Sequence, residues 1–129
     1  MAKGPPMLRL RYAVLPLIFL AVPASASMTV DAFLQRANPI RDGGVLGMLS
    51  PDMPALRREA TDALARMRAE RDARRAAGKA PLYCKPADAP DPSVDEMIDG
   101  LNDIPARQAR TLPLKDGIVR VMAWMYPCR

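Results

Sequence analysis

Few residues of this 129-residue chain have side chains suited to chemistry, and the most informative of them are its two cysteines. Cys84 and Cys128 are its only cysteines, and it contains no histidine. Two thiols can form a disulfide, stay free or share a metal, but two cysteines without histidine make a poor zinc site. An even cysteine count in an exported chain favours a Cys84–Cys128 disulfide. Closing a loop of this size would stabilise the fold by roughly 4 kcal/mol.

Residues suited to catalysis are scarce. Histidine, the usual general base and the commonest metal ligand, is absent. The serines after residue 26 are Ser27, Ser50 and Ser93, and none lies in a Gly-x-Ser-x-Gly or Ser-x-x-Lys context. We therefore predict that the protein is not an enzyme, and we expect no cofactor and no bound metal.

Four acidic residues cluster around one loop: Asp88, Asp91, Asp95 and Glu96. A calcium loop needs more oxygen ligands at ordered spacing and a glycine turn. This segment has four prolines instead, so we interpret its acids as helix-dipole partners and solubilising charges.

Cations are concentrated between residues 66 and 79. The candidate partner-binding residues are Arg71, Arg74, Arg75 and Lys79. Such a cluster can meet an acidic protein, an anionic lipid or a wall polymer. The alternative is a solvated helix end with local ion pairs, such as Glu70 with Arg74.

Residues 1–26 have the three parts of a cleavable export signal. Lys3, Arg9 and Arg11 give a positive start, residues 12–22 are apolar, and Ala24-Ser25-Ala26 is a small-x-small cleavage site. The alternative is an uncleaved anchor, but a spanning helix needs about 20 apolar residues. The apolar run here is shorter and is interrupted by prolines. We expect a periplasmic protein with no stable membrane span after cleavage.

Removal of residues 1–26 changes the charge. The whole chain has a net charge of +5, and residues 27–129 keep a net charge of only +2 because the signal contains three basic residues and no acids. The high isoelectric point is thus partly due to the signal, and we predict no nucleic-acid binding.

Helical spacing dominates residues 27–129. Thr29 can cap a helix from Val30 to Ala37, with Phe33 and Leu34 inward, and Asn38-Pro39 should end it. Residues 39–49 contain three glycines and read as a flexible turn. Ser50-Pro51-Asp52 is typical of a helix start. The helix that follows should have about 26 residues and end at Gly78, with an apolar stripe at Met53, Leu56, Ala60, Ala63, Leu64 and Met67.

The second half predicts a proline-rich loop over residues 79–92 and two more helices. Ser93 and Glu96 form a capping box for a helix that stops at Pro105. The apolar residues of this helix follow at helical spacing: Val94, Met97, Ile98, Leu101 and Ile104. Residues 106–111 suit a short helical turn. The last helix should run from about Pro113 to Tyr126. We expect Trp124 and Tyr126 to pack in the core, and the alternative is an exposed binding hot spot. We therefore predict one all-α domain over residues 27–129, with about four helices closed by one disulfide.

Residues 82–129 also resemble a known family. Leu82-Tyr83-Cys84-Lys85-Pro86, a helix ending near Ile104-Pro105, and a last helix closing in Met-Tyr-Pro-Cys-Arg follow one another. This order is similar to the Tai, or Rap, family of type VI secretion immunity proteins. The resemblance implies a small, exported, helical and disulfide-bonded protein that neutralises a peptidoglycan-amidase toxin by binding it. It assigns no toxin-contacting residue.

We accordingly expect a periplasmic, non-catalytic protein that binds a protein partner stoichiometrically. The alternative is a structural or chaperone-like protein of the cell envelope.

Overall fold

The structure is a computed structural model that describes Gly4 and residues 27–129. The predicted signal peptide therefore lies, apart from Gly4, outside the described residues. Residues 27–129 are all-α, as predicted, and their six helices are α1 (Val30–Asp42), α2 (Gly44–Gly47), α3 (Met53–Ala76), α4 (Val94–Asn102), α5 (Ala106–Ala109) and α6 (Leu114–Met125). The four longer ones are the predicted helices.

Helix α1 begins as expected and ends later. The Thr29 hydroxyl accepts a hydrogen bond from the Ala32 amide at 3.2 Å. The prediction that Pro39 ends the helix is wrong, since α1 continues through it to Asp42. Tertiary contacts hold this last part: Asn38 exchanges amide hydrogen bonds with Asn102, and Arg41 pairs with Asp99 of α4 at 2.5 Å. These bonds offset the hydrogen bond that proline cannot make.

The glycine-rich segment after α1 is not the predicted flexible turn. Residues up to Asp42 belong to α1, and residues 44–47 form α2. Gly47 approaches α1 so closely that a Cβ there would lie 1.9 Å from the Ile40 carbonyl oxygen. Gly44 has a φ of +55°, which glycine adopts without strain. Gly44 and Gly47 thus allow α2 to pack closely against the end of α1.

Helix α3 is 24 residues long and ends near the predicted glycine. The Ser50 hydroxyl accepts from the Asp52 amide at 3.2 Å, and the helix begins at Met53. At the other end Gly78 has a φ of +65°. The Gly78 amide donates to the Arg75 carbonyl and the Lys79 amide to the Arg74 carbonyl. This is a Schellman motif, in which glycine supplies the left-handed residue.

The capping box of α4 is present as predicted. The Ser93 amide donates to the Glu96 carboxylate at 2.7 Å, and the Glu96 amide donates to the Ser93 hydroxyl at 3.2 Å. Ile98, Leu101 and Ile104 are buried. Val94, which follows the same helical spacing, is 75% exposed. It lies in the first turn, where it faces the groove described below rather than the core.

The core is formed mainly by α1, α3, α4 and α6. Two glycines let these helices approach closely: a Cβ on Gly100 would lie 2.5 Å from Val121, and one on Gly117 would lie 2.4 Å from Val30. The buried apolar side chains are Val30, Phe33, Leu34, Ala37, Leu56, Ala63, Met67, Ile98, Leu101, Ile104, Ala109, Leu114, Ile118, Val121 and Met122.

The disulfide between Cys84 and Cys128 is present, with the two Cα atoms 4.9 Å apart. It joins the proline-rich loop to the residues after α6. Within residues 27–129, no helix is both long and apolar enough to cross a membrane.

The end of α6 differs from the prediction at one aromatic residue. Trp124 is 69% exposed, and Tyr126 is half-buried. At about 100° per residue, Trp124 lies roughly a quarter turn from the centre of the buried stripe that contains Ile118, Val121 and Met122. The expected core position of Trp124 is therefore wrong.

Candidate binding groove

One face of α3 changes from apolar to basic along its length. Ala60, Leu64 and Met67 recur at helical spacing, and Arg68, Arg71, Arg74 and Arg75 continue the same spacing. The first three sit against the core, and the arginines follow where α3 extends past it. This continuity is visible in the sequence, but a cluster defined by charge alone does not include it.

The basic part of this face forms one wall of a groove with a volume of about 990 Å³. Helix α4 forms the facing wall with Val94, Met97 and Ile98. Helix α6, which contacts both α3 and α4, supplies the floor. Residues 78–86 and 91–93 close one end. Cys84 lines the groove. So do all four predicted partner-binding residues: Arg71, Arg74, Arg75 and Lys79.

The loop at the end of the groove is fixed in three ways to the residues that follow α6. The disulfide is one, and the Cys84 amide adds a hydrogen bond to the Tyr126 carbonyl at 2.8 Å. The Tyr126 hydroxyl donates to the Pro90 carbonyl at 3.2 Å. Within the loop, Lys85 pairs with Asp91 at 3.2 Å. The groove is therefore bounded by a covalently held wall.

The four predicted basic residues are not equivalent. Arg74 donates two hydrogen bonds to the Ala80 carbonyl, at 3.0 and 2.8 Å, and so braces the turn after α3. Arg71 pairs with Asp72 at 3.1 Å. Asp72 holds the pKa of Arg71 above its ordinary value, and Tyr83 contributes weakly in the same direction. Arg71 is thus a fixed cation over the whole physiological range.

Three further cations at the groove have no side-chain partner among residues 27–129. They are Arg68, Arg75 and Lys79, and all are exposed. Arg68 was not among the predicted site residues. Asp91 is the one acid that lines the groove within the described chain, and Lys85 neutralises it. The mouth of the groove therefore has an excess of positive charge.

The expected pair between Glu70 and Arg74 is not formed. Glu70 instead binds Lys115 of α6, which also contacts Asp116 at 2.8 Å. Asp116 and Glu70 raise the pKa of Lys115. This bridge joins α3 to α6 and leaves Arg74 free to hold Ala80.

Two of the four acids clustered around the proline-rich loop, Asp91 and Glu96, make structural contacts. Asp91 serves Lys85, and Glu96 completes the cap of α4. Hydrogen bonds from Ser93 lower the pKa of Glu96. Among the described residues, no group of three or more histidine, cysteine or acidic side chains is arranged to hold a metal ion.

A second surface lies at the other end of α3. Four large apolar side chains around α2 are between 65% and 83% exposed: Val45, Leu46, Met48 and Leu49. We refer to these four residues as the apolar tip. A contiguous exposed apolar patch is typical of an interaction site.

Comparison with protein-family models, with curated proteins and with solved structures gives no match to this chain.

Proposed function

We propose that this protein is an exported, non-catalytic binding protein that acts by forming a stoichiometric complex with a protein partner. One observation carries the proposal: α3 presents a row of cations along a groove, and the loop that closes one end of this groove is held by the disulfide. A preorganised surface loses little conformational entropy on binding. Its positive charge favours an acidic partner and speeds association.

The partner that fits the family resemblance is a peptidoglycan-amidase toxin. Immunity by binding needs a complementary interaction surface and no catalytic group. The excess of cations at the groove and the fixed loop supply such a surface on residues 68–94. The export signal predicted for residues 1–26 would deliver the protein to the compartment that contains peptidoglycan.

The test begins with the full chain, expressed in its own host and cross-linked in the envelope. The recovered partner is purified and titrated with the protein, and its amidase activity is followed. We expect activity to fall linearly to zero at one molar equivalent. Undiminished amidase activity at saturating complex formation would exclude neutralisation, and failure to form a stoichiometric complex would exclude binding as the function.

A matched pair of charge-reversal variants tests the surface. The first is Arg71→Glu, Arg75→Glu and Lys79→Glu, which spares Arg74 because that side chain braces Ala80. The control variant is Arg57→Glu, Arg58→Glu and Arg66→Glu, three exposed arginines of α3 that do not line the groove. Only the groove variant should bind the partner more weakly than wild type, and its affinity should depend less on salt concentration. Equal losses in both variants would refute this surface as the interface.

The apolar tip favours a second candidate function, a chaperone-like protein of the cell envelope. Exposed aliphatic side chains can hold unfolded chains without a specific partner. Suppression of aggregation of a reduced, unfolded client by wild type, and its loss in Leu46→Ser/Leu49→Ser, would support this candidate. Unchanged client aggregation in the presence of wild type would exclude it.

A further inference from the structure

The exposed cations of the groove form a row along α3. Arg68, Arg71 and Arg75 are spaced three and four residues apart, and Lys79 follows after four more. We refer to these four residues as the cation row. At 3.6 residues per turn the three arginines share one face of the helix, and at a rise of 1.5 Å per residue Arg68 and Arg75 lie about 10 Å apart along its axis. The row therefore presents positive charge with the repeat of a helix.

The facing rim of the groove is apolar where a ligand can reach it. Val94 is 75% exposed and Leu82 is 37% exposed, and the half-buried Met97 lies about one turn further along α4. All three line the groove. These accessible side chains, rather than the closed core beneath them, are the surface available for contact. A ligand that contacts both rims must present acids on one side and aliphatic groups on the other.

The repeat of the cation row favours a helical ligand. Residues 27–129 contain helices and no strand, so they offer no sheet edge to which an extended peptide could add by backbone hydrogen bonds. An extended chain repeats on one side about every 6.6 Å, whereas the steps between neighbouring arginines of the row are about 4.5 and 6 Å along α3. A second helix alongside α3 repeats by the same steps. It can therefore place a carboxylate opposite each arginine of the row.

We propose that the groove binds an acidic amphipathic helix of the protein partner. Its carboxylates face the cation row, and its aliphatic side chains contact Leu82 and Val94. Guanidinium groups bind carboxylates through paired, charge-assisted hydrogen bonds. A nucleic acid would supply anionic groups but no aliphatic face for Leu82 and Val94. This inference rests on the proposed function, which requires a protein partner, and it adds the element of that partner that is recognised.

The first experiment titrates the full chain with synthetic peptides in a calorimeter. The peptides have about 18 residues, long enough to form a helix. The test peptide has glutamates at positions i, i+3, i+4 and i+7, which match the cation row in either direction, and leucines on the adjacent side. Three controls replace glutamate by glutamine, distribute the same glutamates around the whole helix, or place a proline at the centre. We expect one test peptide per chain and binding at least about tenfold weaker for each control.

The peptides also separate this inference from its alternatives. Equal binding of the redistributed or proline peptide would overturn it, because negative charge alone would then suffice. Absence of binding by the test peptide up to about 1 mM, or tighter binding of a DNA duplex or of phosphatidylglycerol vesicles, would overturn it as well. If the test peptide does not bind and the purified partner still forms a stoichiometric complex, only this inference fails. If the test peptide binds and no partner complex forms, only the proposed function fails.

A pair of charge variants tests the cation row. Arg68→Ala/Arg75→Ala/Lys79→Ala should bind the test peptide about tenfold more weakly or worse. The control removes three exposed arginines of the same helix that do not line the groove and should bind as wild type: Arg57→Ala, Arg58→Ala and Arg66→Ala. All six residues are outside the core, so both variants should keep the wild-type fold. Equal affinity of the two variants would contradict the assigned site.

A pair of valine variants tests the apolar rim. Val94→Ser should weaken binding of the test peptide about fivefold, because a leucine of the peptide would lose its aliphatic contact. Val45→Ser is the matched control, since Val45 is 83% exposed and lies in the apolar tip. It should bind as wild type. Unchanged affinity of Val94→Ser would show that the ligand contacts only the cations and would refute an amphipathic helix in the groove.

Discussion

The amide of Cys84 donates a hydrogen bond to the carbonyl of Tyr126 at 2.8 Å, directly beside the disulfide that joins Cys84 to Cys128. The covalent bond and the hydrogen bond therefore act on the same joint between the proline-rich loop and the end of α6. Mutation of the cysteines removes the covalent bond and leaves this backbone hydrogen bond in place.

Removal of the disulfide should destabilise the domain and loosen the groove wall. We expect Cys84→Ser/Cys128→Ser to lower the free energy of unfolding by roughly 2–5 kcal/mol, because the unfolded chain regains the conformations that the loop excludes. Denaturant unfolding measures the loss, and hydrogen exchange over residues 79–93 measures the loosening. Exchange that stays at the wild-type level would show that the non-covalent contacts alone hold the loop.

The Tyr126 hydroxyl is the matched control for the same joint. Tyr126→Phe removes its hydrogen bond to the Pro90 carbonyl and keeps the ring. The expected cost is about 0.5–1.5 kcal/mol, well below that of the disulfide. A larger loss would mean that this hydroxyl, rather than the covalent bond, governs the joint.

Arg74 and Arg75 are adjacent and should differ in their effect on stability. Arg74 holds the Ala80 carbonyl through two hydrogen bonds, and Arg75 makes no side-chain bond within residues 27–129. Arg74→Ala should destabilise by about 1 kcal/mol, and Arg75→Ala should change stability by less than about 0.5 kcal/mol. Thermal unfolding of the two variants side by side decides this. Equal melting temperatures would contradict the bracing role of Arg74.

Gly117 should resist replacement by alanine even though alanine favours helices. The substitution gains about 1 kcal/mol in helix propensity. The new Cβ would lie 2.4 Å from the buried Val30 side chain, and such overpacking costs typically 1–3 kcal/mol. We expect Gly117→Ala to be net destabilising by about 1 kcal/mol in chemical denaturation. A gain in stability would mean that α1 and α6 separate at little cost.

The capping box of α4 predicts that the stability of the domain depends on pH. The pKa of Glu96 is lowered by the Ser93 hydrogen bonds, so its contribution to stability is present above the pKa of the unfolded state. That contribution is lost as pH falls through the lower pKa of the folded state. Ser93→Ala keeps the backbone amide that contributes most to lowering the pKa of Glu96, so this pKa should rise only part of the way toward its ordinary value. Loss of the serine cap should cost about 1 kcal/mol at neutral pH. Carboxyl NMR titration measures the pKa and denaturant unfolding measures the cost, and unchanged stability would contradict the cap.

Local signals predicted most of the fold. The caps at Thr29 and Ser93 and the stop at Gly78 appear as expected, because each depends on a few neighbouring residues. The expected helix end at Pro39 and the expected flexible turn that contains Gly47 are wrong because the structure at both positions depends on contacts with residues distant in the sequence. Asn102 and Asp99 hold the end of α1, and the close approach of Ile40 requires Gly47. Such contacts cannot be read from spacing along the chain.

The candidate site was predicted in part. The sequence identified the basic cluster, and the structure brings all four of its members to one groove. The sequence did not reveal that α4 forms the opposite wall of the groove. This helix is about 20 residues away along the chain and faces the basic cluster only after folding. The roles of Arg74 and Glu70 also depended on partners in other segments, Ala80 and Lys115.

The disulfide also sets how the protein responds to force. It closes a ring over a sequence separation of 44 residues, and α4, α5 and α6 lie inside that ring. Tension applied between Ser27 and Arg129 would bypass these helices, and only the chain that precedes Cys84 would stretch. The fully extended molecule would be about 150 Å shorter with the bond intact than after reduction. The half of the domain that contains α1 and α3 would therefore bear nearly all of the load.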